Sequence, residues 1–126
     1  MAVQLNHTIV WCSDKARSSA FLTDMLGLPP ARTFMHFLVV GLENGVSLDF
    51  MEKEGTVSRQ HYAFLVTEAE FDGVLERVRA SGAGWWADPA RTKPREINTH
   101  FRGRGVYFED PDGHLLEAIT RPYGSE

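Results

Sequence analysis

The sequence is poor in cysteine, in long apolar runs and in excess positive charge. Its 126 residues include one cysteine, Cys12, which excludes an intrachain disulfide. No N-terminal apolar stretch or targeting tail is visible, so we expect no membrane partner and take the cytoplasm as the simplest compartment. The net charge of −4, without a basic stripe, argues against a nucleic-acid partner.

What is present is the composition of an ordinary globular protein. Hydrophobic residues make up 43% and charged residues 24% of the chain, which excludes disorder as the default state. A chain of this length buries roughly two thirds of its unfolded surface in one core. Residues 1–126 are therefore expected to form a single domain that needs no disulfide or structural metal.

The first half of the sequence alternates strand and helix patterns. Leu5–Trp11 is rich in β-branched and aromatic residues and predicts a strand. Helical spacing of apolar residues follows over 16–26, and Gly27 predicts the end of that helix. Two further strands, Phe37–Leu42 and Val46–Met51, are predicted on either side of an Asn-Gly turn.

The same order then starts again. Gln60–Val66 predicts a strand, and Thr67 to Glu70 has the spacing of a capping box that opens a helix through about Ser81. Trp85–Ala87 predicts a short strand, and a long polar loop follows it. Arg104–Phe108 and Leu115–Thr120 predict a closing hairpin across an Asp-Pro-Asp-Gly turn.

These two halves form a weak internal repeat. His7 in Asn-His-Thr-Ile and His61 in Gln-His-Tyr-Ala occupy equivalent strands, offset by 61 − 7 = 54 residues. Each copy runs strand, helix, then two or three strands, and its last strand carries a mid-strand carboxylate, Asp49 or Glu117. Two equivalent copies can place these four side chains around one pseudo-twofold centre.

Glu117 is the oddest residue of the set. It lies between Leu116 and Ala118, where burial of a carboxylate is costly unless it is paired, protonated or metal-bound. Two imidazoles and one carboxylate would hold a divalent metal and leave positions open for substrate or oxygen. The alternative is that His7 and His61 are ordinary sheet residues and that Glu117 is exposed.

The pattern resembles the vicinal oxygen chelate superfamily, which groups glyoxalase I, extradiol dioxygenases, fosfomycin-resistance transferases and bleomycin-binding proteins. The resemblance covers nearly the whole chain. It implies an α+β fold of two βαβββ modules, about 1–55 and about 56–126, forming a cupped mixed sheet around a divalent metal. It also implies His7, His61 and Glu117 as metal ligands, and Asp49 as a fourth ligand or catalytic carboxylate.

A second set of residues resembles extradiol dioxygenases in particular. The order of motifs in those enzymes is matched by three short stretches of this sequence. They are Asn-Thr-His ending at His100, Val-Tyr ending at Tyr107, and the Asp-Pro-Asp-Gly turn before Glu117. By this resemblance, His100 and Tyr107 flank the metal as acid/base and hydrogen-bonding groups. An imidazole near a reacting oxygen is suited to proton transfer at neutral pH.

Three further side chains are candidates for binding a substrate, and two others have no predicted role in the site. Trp11 shares a strand face with His7, and Arg102 and Arg104 carry guanidinium groups that match an anionic substrate, although such arginines are more often solvated. Tyr62 faces away from its neighbour His61. His114, in the turn, is expected at the surface.

The resemblance leaves three functions open. The first is a metal enzyme acting on a small molecule with adjacent oxygens, either dioxygenase-like with Fe²⁺ or Mn²⁺ or glyoxalase-like with Ni²⁺ or Zn²⁺. The second is a metal-free resistance protein that sequesters an aromatic natural product. The third is a regulatory module that kept the fold alone. Short relatives of this superfamily imply a homodimer.

Overall fold

Each half of the chain forms a four-stranded mixed sheet with one helix in the computed structural model, which describes residues 3–125. The contacts divide the chain into two compact units. The first unit ends at Ser58 and the second begins at Arg59, close to the module boundary expected from the repeat. Each unit is described separately below.

The first unit contains four strands and one helix in the order expected from the sequence. These elements are β1 (His7–Cys12), α1 (Lys15–Leu26), β2 (Arg32–Phe34), β3 (Phe37–Gly41) and β4 (Ser47–Glu52). The strand order across the sheet is β1-β4-β3-β2, with β1 parallel to β4 and the other pairs antiparallel. The parallel pair puts the first and last strands of the unit side by side.

The bounds of α1 follow from its capping residues. The Asp14 carboxylate accepts a hydrogen bond from the backbone N–H of Arg17 at 3.1 Å, which satisfies one of the free donors of the first turn. Gly27 ends the helix with φ of +69°, a conformation that glycine adopts without a steric penalty. Between these caps, the helix buries Leu22 and Met25 in the core.

The second unit repeats this arrangement. Its elements are β5 (His61–Leu65), α2 (Glu68–Ser81), β6 (Trp85–Trp86), β7 (Gly105–Glu109) and β8 (Leu115–Ile119). The strand order is β5-β8-β7-β6, again with the first and last strands parallel. The long connection from β6 to β7 contains a short 3₁₀ turn, described with the site below.

The two faces of the second sheet have different environments. Leu116 and Ala118 of β8 are buried, as are the three side chains along one face of α2, Phe71, Val74 and Val78. Residues of the other parity, such as His61 on β5, lie on the opposite face, where His61 is exposed. That second face, here called the open face, carries Glu117.

The fold class expected from the sequence is confirmed. The structure is α+β, with two four-stranded mixed sheets and two helices. Within residues 3–125, neither helix has the length and apolar character required to cross a membrane.

The capping box of α2 gives a test of the fold. The Thr67 hydroxyl accepts from the backbone N–H of Glu70 at 3.1 Å, while the Glu70 carboxylate accepts from the backbone N–H of Thr67 at 2.8 Å. Thr67→Ala should lower the free energy of unfolding by about 1 kcal/mol because the backbone N–H of Glu70 loses its side-chain acceptor. Urea denaturation measures this. The control, Glu76→Ala at an exposed mid-helix position, should change stability by less than about 0.5 kcal/mol. Equal effects would contradict the prediction.

Candidate active site on the second sheet

The repeat seen in the sequence is also a repeat of strand register. In the first sheet His7 pairs with Ser47, and two residues further Ile9 pairs with Asp49. In the second sheet His61 pairs with Leu115, and two residues further Ala63 pairs with Glu117. Because side chains two residues apart share a face, each sheet carries its histidine and its carboxylate on the same side.

In the second unit this register brings the histidine and the carboxylate into contact. Nε2 of His61 lies 3.1 Å from Oε1 of Glu117. The Glu117 side chain is 9% exposed and that of His61 48% exposed, so the pair lies where the sheet interior meets an accessible surface. The interpretation of Glu117 as a buried, paired carboxylate is therefore correct, and the alternative that it is exposed is wrong.

Tyr107 completes this group from the neighbouring strand. It pairs in register with Glu117, and its ring stacks on that of His61 with centroids 6.0 Å apart. Its hydroxyl donates a hydrogen bond to the Glu117 carboxylate. Burial, followed by the charge and hydrogen bond of Glu117, raises the pKa of Tyr107 to about 12. The phenol therefore keeps its proton at neutral pH and acts as a donor.

The donor set around Glu117 fits a divalent metal ion. Nδ1 of His61 lies 3.0 Å from the carbonyl oxygen of Leu115, and since a carbonyl only accepts, Nδ1 carries the ring hydrogen. Nε2 then directs a lone pair toward the carboxylate, which is unfavourable unless a proton or a cation lies between them. Two donors in adjacent coordination positions of a metal ion are about 3 Å apart, and Nε2 and Oε1 are separated by 3.1 Å.

The first unit has the equivalent histidine and carboxylate in a different state. His7 is exposed, and its Nδ1 lies 2.6 Å from Oδ1 of Asn6. Asp49 is buried, and it accepts a hydrogen bond from the Ser47 hydroxyl at 2.9 Å. Over residues 3–125, no three His, Cys, Asp or Glu side chains are already clustered as metal ligands. The pair of His61 and Glu117 is the assembled part of the predicted ligand set.

A cavity of about 280 Å³ opens beside Glu117 and Tyr107. Its size is close to the lower end of the range for small-molecule pockets, and aromatic and aliphatic side chains dominate its walls. His100, predicted to act with Tyr107, also lines it. The structure therefore brings these three predicted residues to one cavity. The other lining residues are Pro89, Asn98, Phe101, Arg104, Ile119, Arg121 and Tyr123.

The wall that holds His100 is built from an unusual backbone. Phe101 and Arg102 both have positive φ, +57° and +61°, inside the 3₁₀ turn His100–Arg102. A side chain in this region costs roughly 1–3 kcal/mol and is found where surrounding structure enforces it. The Phe101 ring contacts His100 and Tyr123, with centroid distances of 6.1 and 5.6 Å. Phe101 and Tyr123 were not identified from the sequence as site residues, because only the fold brings them together.

The three residues proposed to bind substrate are placed differently. Arg104 lines the cavity, but its guanidinium is paired with Glu68 at 2.9 Å and Asp72 at 2.8 Å. Hydrogen bonds to those carboxylates raise the pKa of Arg104 further. Arg102 is exposed on the 3₁₀ turn, and Trp11 is 43% exposed on the first sheet. Arg104 is thus held as part of the wall rather than as a free anion receptor.

One expectation about a histidine is wrong. His114 was expected at the surface because it follows a polar turn, yet it is only 1% exposed. Its Nδ1 accepts a hydrogen bond from the backbone N–H of Gln60 at 2.9 Å. Tyr62, expected to face away from His61, packs edge-on against the His114 ring with centroids 5.8 Å apart.

Comparisons with known proteins identify the family of the chain. Residues 4–118 match the family model described as Glyoxalase/Bleomycin resistance protein/Dioxygenase superfamily. Among solved structures, the chain is similar to Oxidase ChaP-H1, with 55% identity and a TM-score of 0.96. That match covers 98% of this chain and 100% of ChaP-H1.

Two curated relatives are transferases. Glutathione transferase FosA from Serratia marcescens is 31% identical over 123 residues, which is 93% of this chain and 80% of FosA. Metallothiol transferase FosB from Shouchella clausii is 38% identical over 72 residues, 57% of this chain and 45% of FosB, so this match spans less than half of that relative.

These relatives are all named as enzymes. The expectation that the chain is a metalloenzyme of this superfamily is therefore confirmed, without its specific reaction. The match of the family model over residues 4–118 also confirms the resemblance identified from the sequence. The chain belongs to the glyoxalase/bleomycin resistance protein/dioxygenase superfamily.

Proposed function

We propose that the chain is a divalent-metal-dependent enzyme that oxidises a small aromatic molecule bearing adjacent oxygens, with O₂ as the oxidant. The observation that carries the proposal is the contact of His61 with Glu117 beside the cavity. Tyr107 is hydrogen-bonded to the same carboxylate. Similarity to Oxidase ChaP-H1 over nearly the whole chain supports oxidation over the other chemistries of the superfamily.

His61 and Glu117 would hold the metal, with His7 as the third ligand. His7 occupies the position in the first sheet that His61 occupies in the second, so the repeat predicts it as the third ligand. Imidazole and carboxylate donors suit Fe²⁺ and Mn²⁺, while Ni²⁺ and Zn²⁺ accept the same set. When bound, such an ion supplies Lewis acidity toward the two adjacent substrate oxygens.

Tyr107 and His100 have separate roles around this centre. The Tyr107 hydroxyl, which keeps its proton, orients the Glu117 carboxylate and holds it in one rotamer. His100 lines the same cavity with an exposed imidazole, so it is available to take or return a proton at a substrate hydroxyl. Asp49 is engaged with Ser47 in the first sheet, and we assign it a structural role ahead of a ligand role.

The cavity favours a planar substrate. Phe101 and Tyr123 form an aromatic wall, and Ile119 of β8 adds an aliphatic surface. An aromatic ring bound there would lie beside Glu117 and Tyr107, which line the same cavity. Arg121 also lines the cavity.

The reaction class is tested by oxygen uptake. A panel of 1,2-dihydroxyaromatic compounds is incubated with Fe²⁺-loaded or Mn²⁺-loaded protein, and ¹⁸O₂ distinguishes two outcomes. Ring cleavage places both oxygen atoms in the product, whereas a two-electron oxidation sends two electrons and two protons to O₂ and gives H₂O₂. Either outcome supports the proposal, while turnover without consumption of O₂ contradicts it.

Similarity to glutathione transferase FosA over 93% of the chain favours one other candidate. That candidate is metal-dependent addition of a thiol to a small electrophile. Loss of glutathione under anaerobic conditions, without oxygen uptake in air, would support it. A metal-free binding protein, the remaining alternative from the sequence, would bind its ligands equally well in the presence of a chelator.

Removal of the buried carboxylate should weaken metal binding. Glu117→Gln is expected to weaken Mn²⁺ binding by at least about tenfold because the anionic donor is lost. Calorimetric titration of Mn²⁺ into the metal-free protein measures this. Glu109→Gln is the matched control, since Glu109 faces the same side of the sheet but pairs with Arg91 at 2.7 Å. Wild-type affinity in Glu117→Gln would show that the site is wrongly assigned.

The environment of Tyr107 predicts a dependence on high pH. Its pKa is about 12 in the folded chain against 10.0 ordinarily, so the folded state favours the protonated phenol. The stabilisation is complete below pH 10 and is lost as the pH rises toward 12. Absorbance titration at alkaline pH should show a late phenol ionisation that is missing in Tyr107→Phe. Burial also raises the pKa of Tyr62, so the result that would contradict the prediction is an unchanged late ionisation in Tyr107→Phe.

His100 should affect turnover without affecting metal binding. His100→Gln is expected to lower kcat for the active dihydroxyaromatic compound by about 10²-fold, the usual contribution of a proton-transfer group. Mn²⁺ affinity should be unchanged. The control is His36→Gln, which replaces an exposed histidine of the first unit. An unchanged kcat for His100→Gln would contradict the proposed role of His100 in proton transfer.

A further inference from the structure

The turn before β8 is joined to the start of β5 by a buried histidine. The Asp110 carboxylate accepts hydrogen bonds from the backbone N–H groups of Asp112 and His114, both at 2.9 Å. The backbone N–H of Gly113 also donates to the Asp110 carbonyl at 3.0 Å. Asp110 and His114 are 8% and 1% exposed. The turn is therefore a rigid element that holds the His114 ring in the interior.

His114 connects this turn to the residue before His61. Its Nδ1 accepts from the backbone N–H of Gln60 at 2.9 Å, and the backbone N–H of Leu115 donates to the Gln60 carbonyl at 2.9 Å. Both backbone groups of Gln60 are thus bound by consecutive residues, His114 in the turn and Leu115 at the start of β8. Without His114, the Gln60 donor at the end of a parallel strand would lose its partner.

The adjoining bond holds the His61 ring itself. Nδ1 of His61 donates to the Leu115 carbonyl at 3.0 Å, and this bond orients Nε2 toward Glu117. His114, Leu115 and Glu117 lie within four consecutive residues, while their partners Gln60 and His61 are adjacent. A shift of Gln60 would therefore move His61 relative to Glu117, and metal sites tolerate only a few tenths of an ångström of such movement.

We propose that His114 is a positioning residue that sets the separation of His61 and Glu117 through its hydrogen bond to Gln60. The inference rests on the proposed function, since it is stated for the same ligand pair. His114 does not line the cavity described above, and its ring packs against Tyr62, whose side chain points to the face opposite His61. It acts through the backbone and not by contact with a substrate.

The test uses two substitutions that differ in one hydrogen bond. His114→Asn can place its side-chain oxygen near the former Nδ1 and still accept from Gln60, whereas His114→Leu has no acceptor. His114→Leu should weaken Mn²⁺ binding by about 10 to 100-fold, the usual effect of removing a group that orients a metal ligand. His114→Asn should restore most of that affinity. Tyr62→Phe is the control for repacking on the same face and should bind Mn²⁺ as the wild type does.

A second measurement, on the metal-free protein, tests the hydrogen bond between Gln60 and His114 separately from metal binding. In ¹⁵N NMR spectra, a coupling across the hydrogen bond from the Gln60 amide to His114 Nδ1 is expected in the wild type. In His114→Leu, the Gln60 amide should lose protection from hydrogen exchange, while His114→Asn should keep it.

Absence of the coupling in the wild type, or equal Mn²⁺ affinity of His114→Leu and the wild type, would overturn the role of His114. If the wild type does not bind Mn²⁺ while the coupling and the exchange pattern are present, the proposed function fails and the connection from His114 to Gln60 stands. If His114→Leu does not fold, the coupling in the wild type and the Mn²⁺ affinity of His114→Asn still test the role of His114. Presence of the coupling with near-wild-type affinity supports that role, and absence of the coupling contradicts it.

Discussion

A carboxylate buried in the middle of a sheet has to be compensated, and the open face of the second unit is arranged around that requirement. Glu117 lies within 3.1 Å of the His61 imidazole and accepts a hydrogen bond from Tyr107. The three residues come from three adjacent strands, β5, β8 and β7, so their positions depend on strand register. An uncompensated carboxylate at this depth would cost several kcal/mol.

The two units share one strand register but differ in what their carboxylate contacts. Both carry a histidine on the first strand and a carboxylate two positions beyond its pairing partner on the last strand. In the first unit that partner is Ser47, whose hydroxyl bonds to Asp49. In the second unit it is Leu115, which has no polar side chain and offers only its carbonyl to His61. Glu117 is longer by one methylene and reaches the imidazole.

The connection between β6 and β7 supplies part of the cavity wall beside Glu117. Asn98 anchors this segment, because its side-chain amide donates to the Ala87 carbonyl at 2.8 Å and its backbone pairs with Gly105. The strained turn that follows presents His100 and Phe101 to the cavity. Arg104, two residues beyond this turn, is held by carboxylates of α2, and its guanidinium lies over the Phe71 ring. Helix α2 therefore holds the end of the β6–β7 connection through Arg104 and also contributes buried side chains to the core.

The sequence alone determined the local elements and the repeat. Apolar periodicity, the capping box at Thr67 and the glycine after α1 depend on neighbours in the chain, so both helices and the main strands were predicted close to their observed bounds. The equivalence of His7 with His61 and of Asp49 with Glu117 follows from the same local order. These features placed the four candidate ligands on the first and last strands of the two units, where the structure has them.

Only the tertiary structure decided which of those candidates meet and what surrounds them. The burial of His114 depends on Gln60, which lies 54 residues away in the chain, and a single sequence contains no signal for that bond. The aromatic wall joins Phe101 to Tyr123 across β7 and β8, and Arg104 is diverted from a substrate role by α2. Side-chain contacts between distant segments arise from packing, which local patterns do not encode.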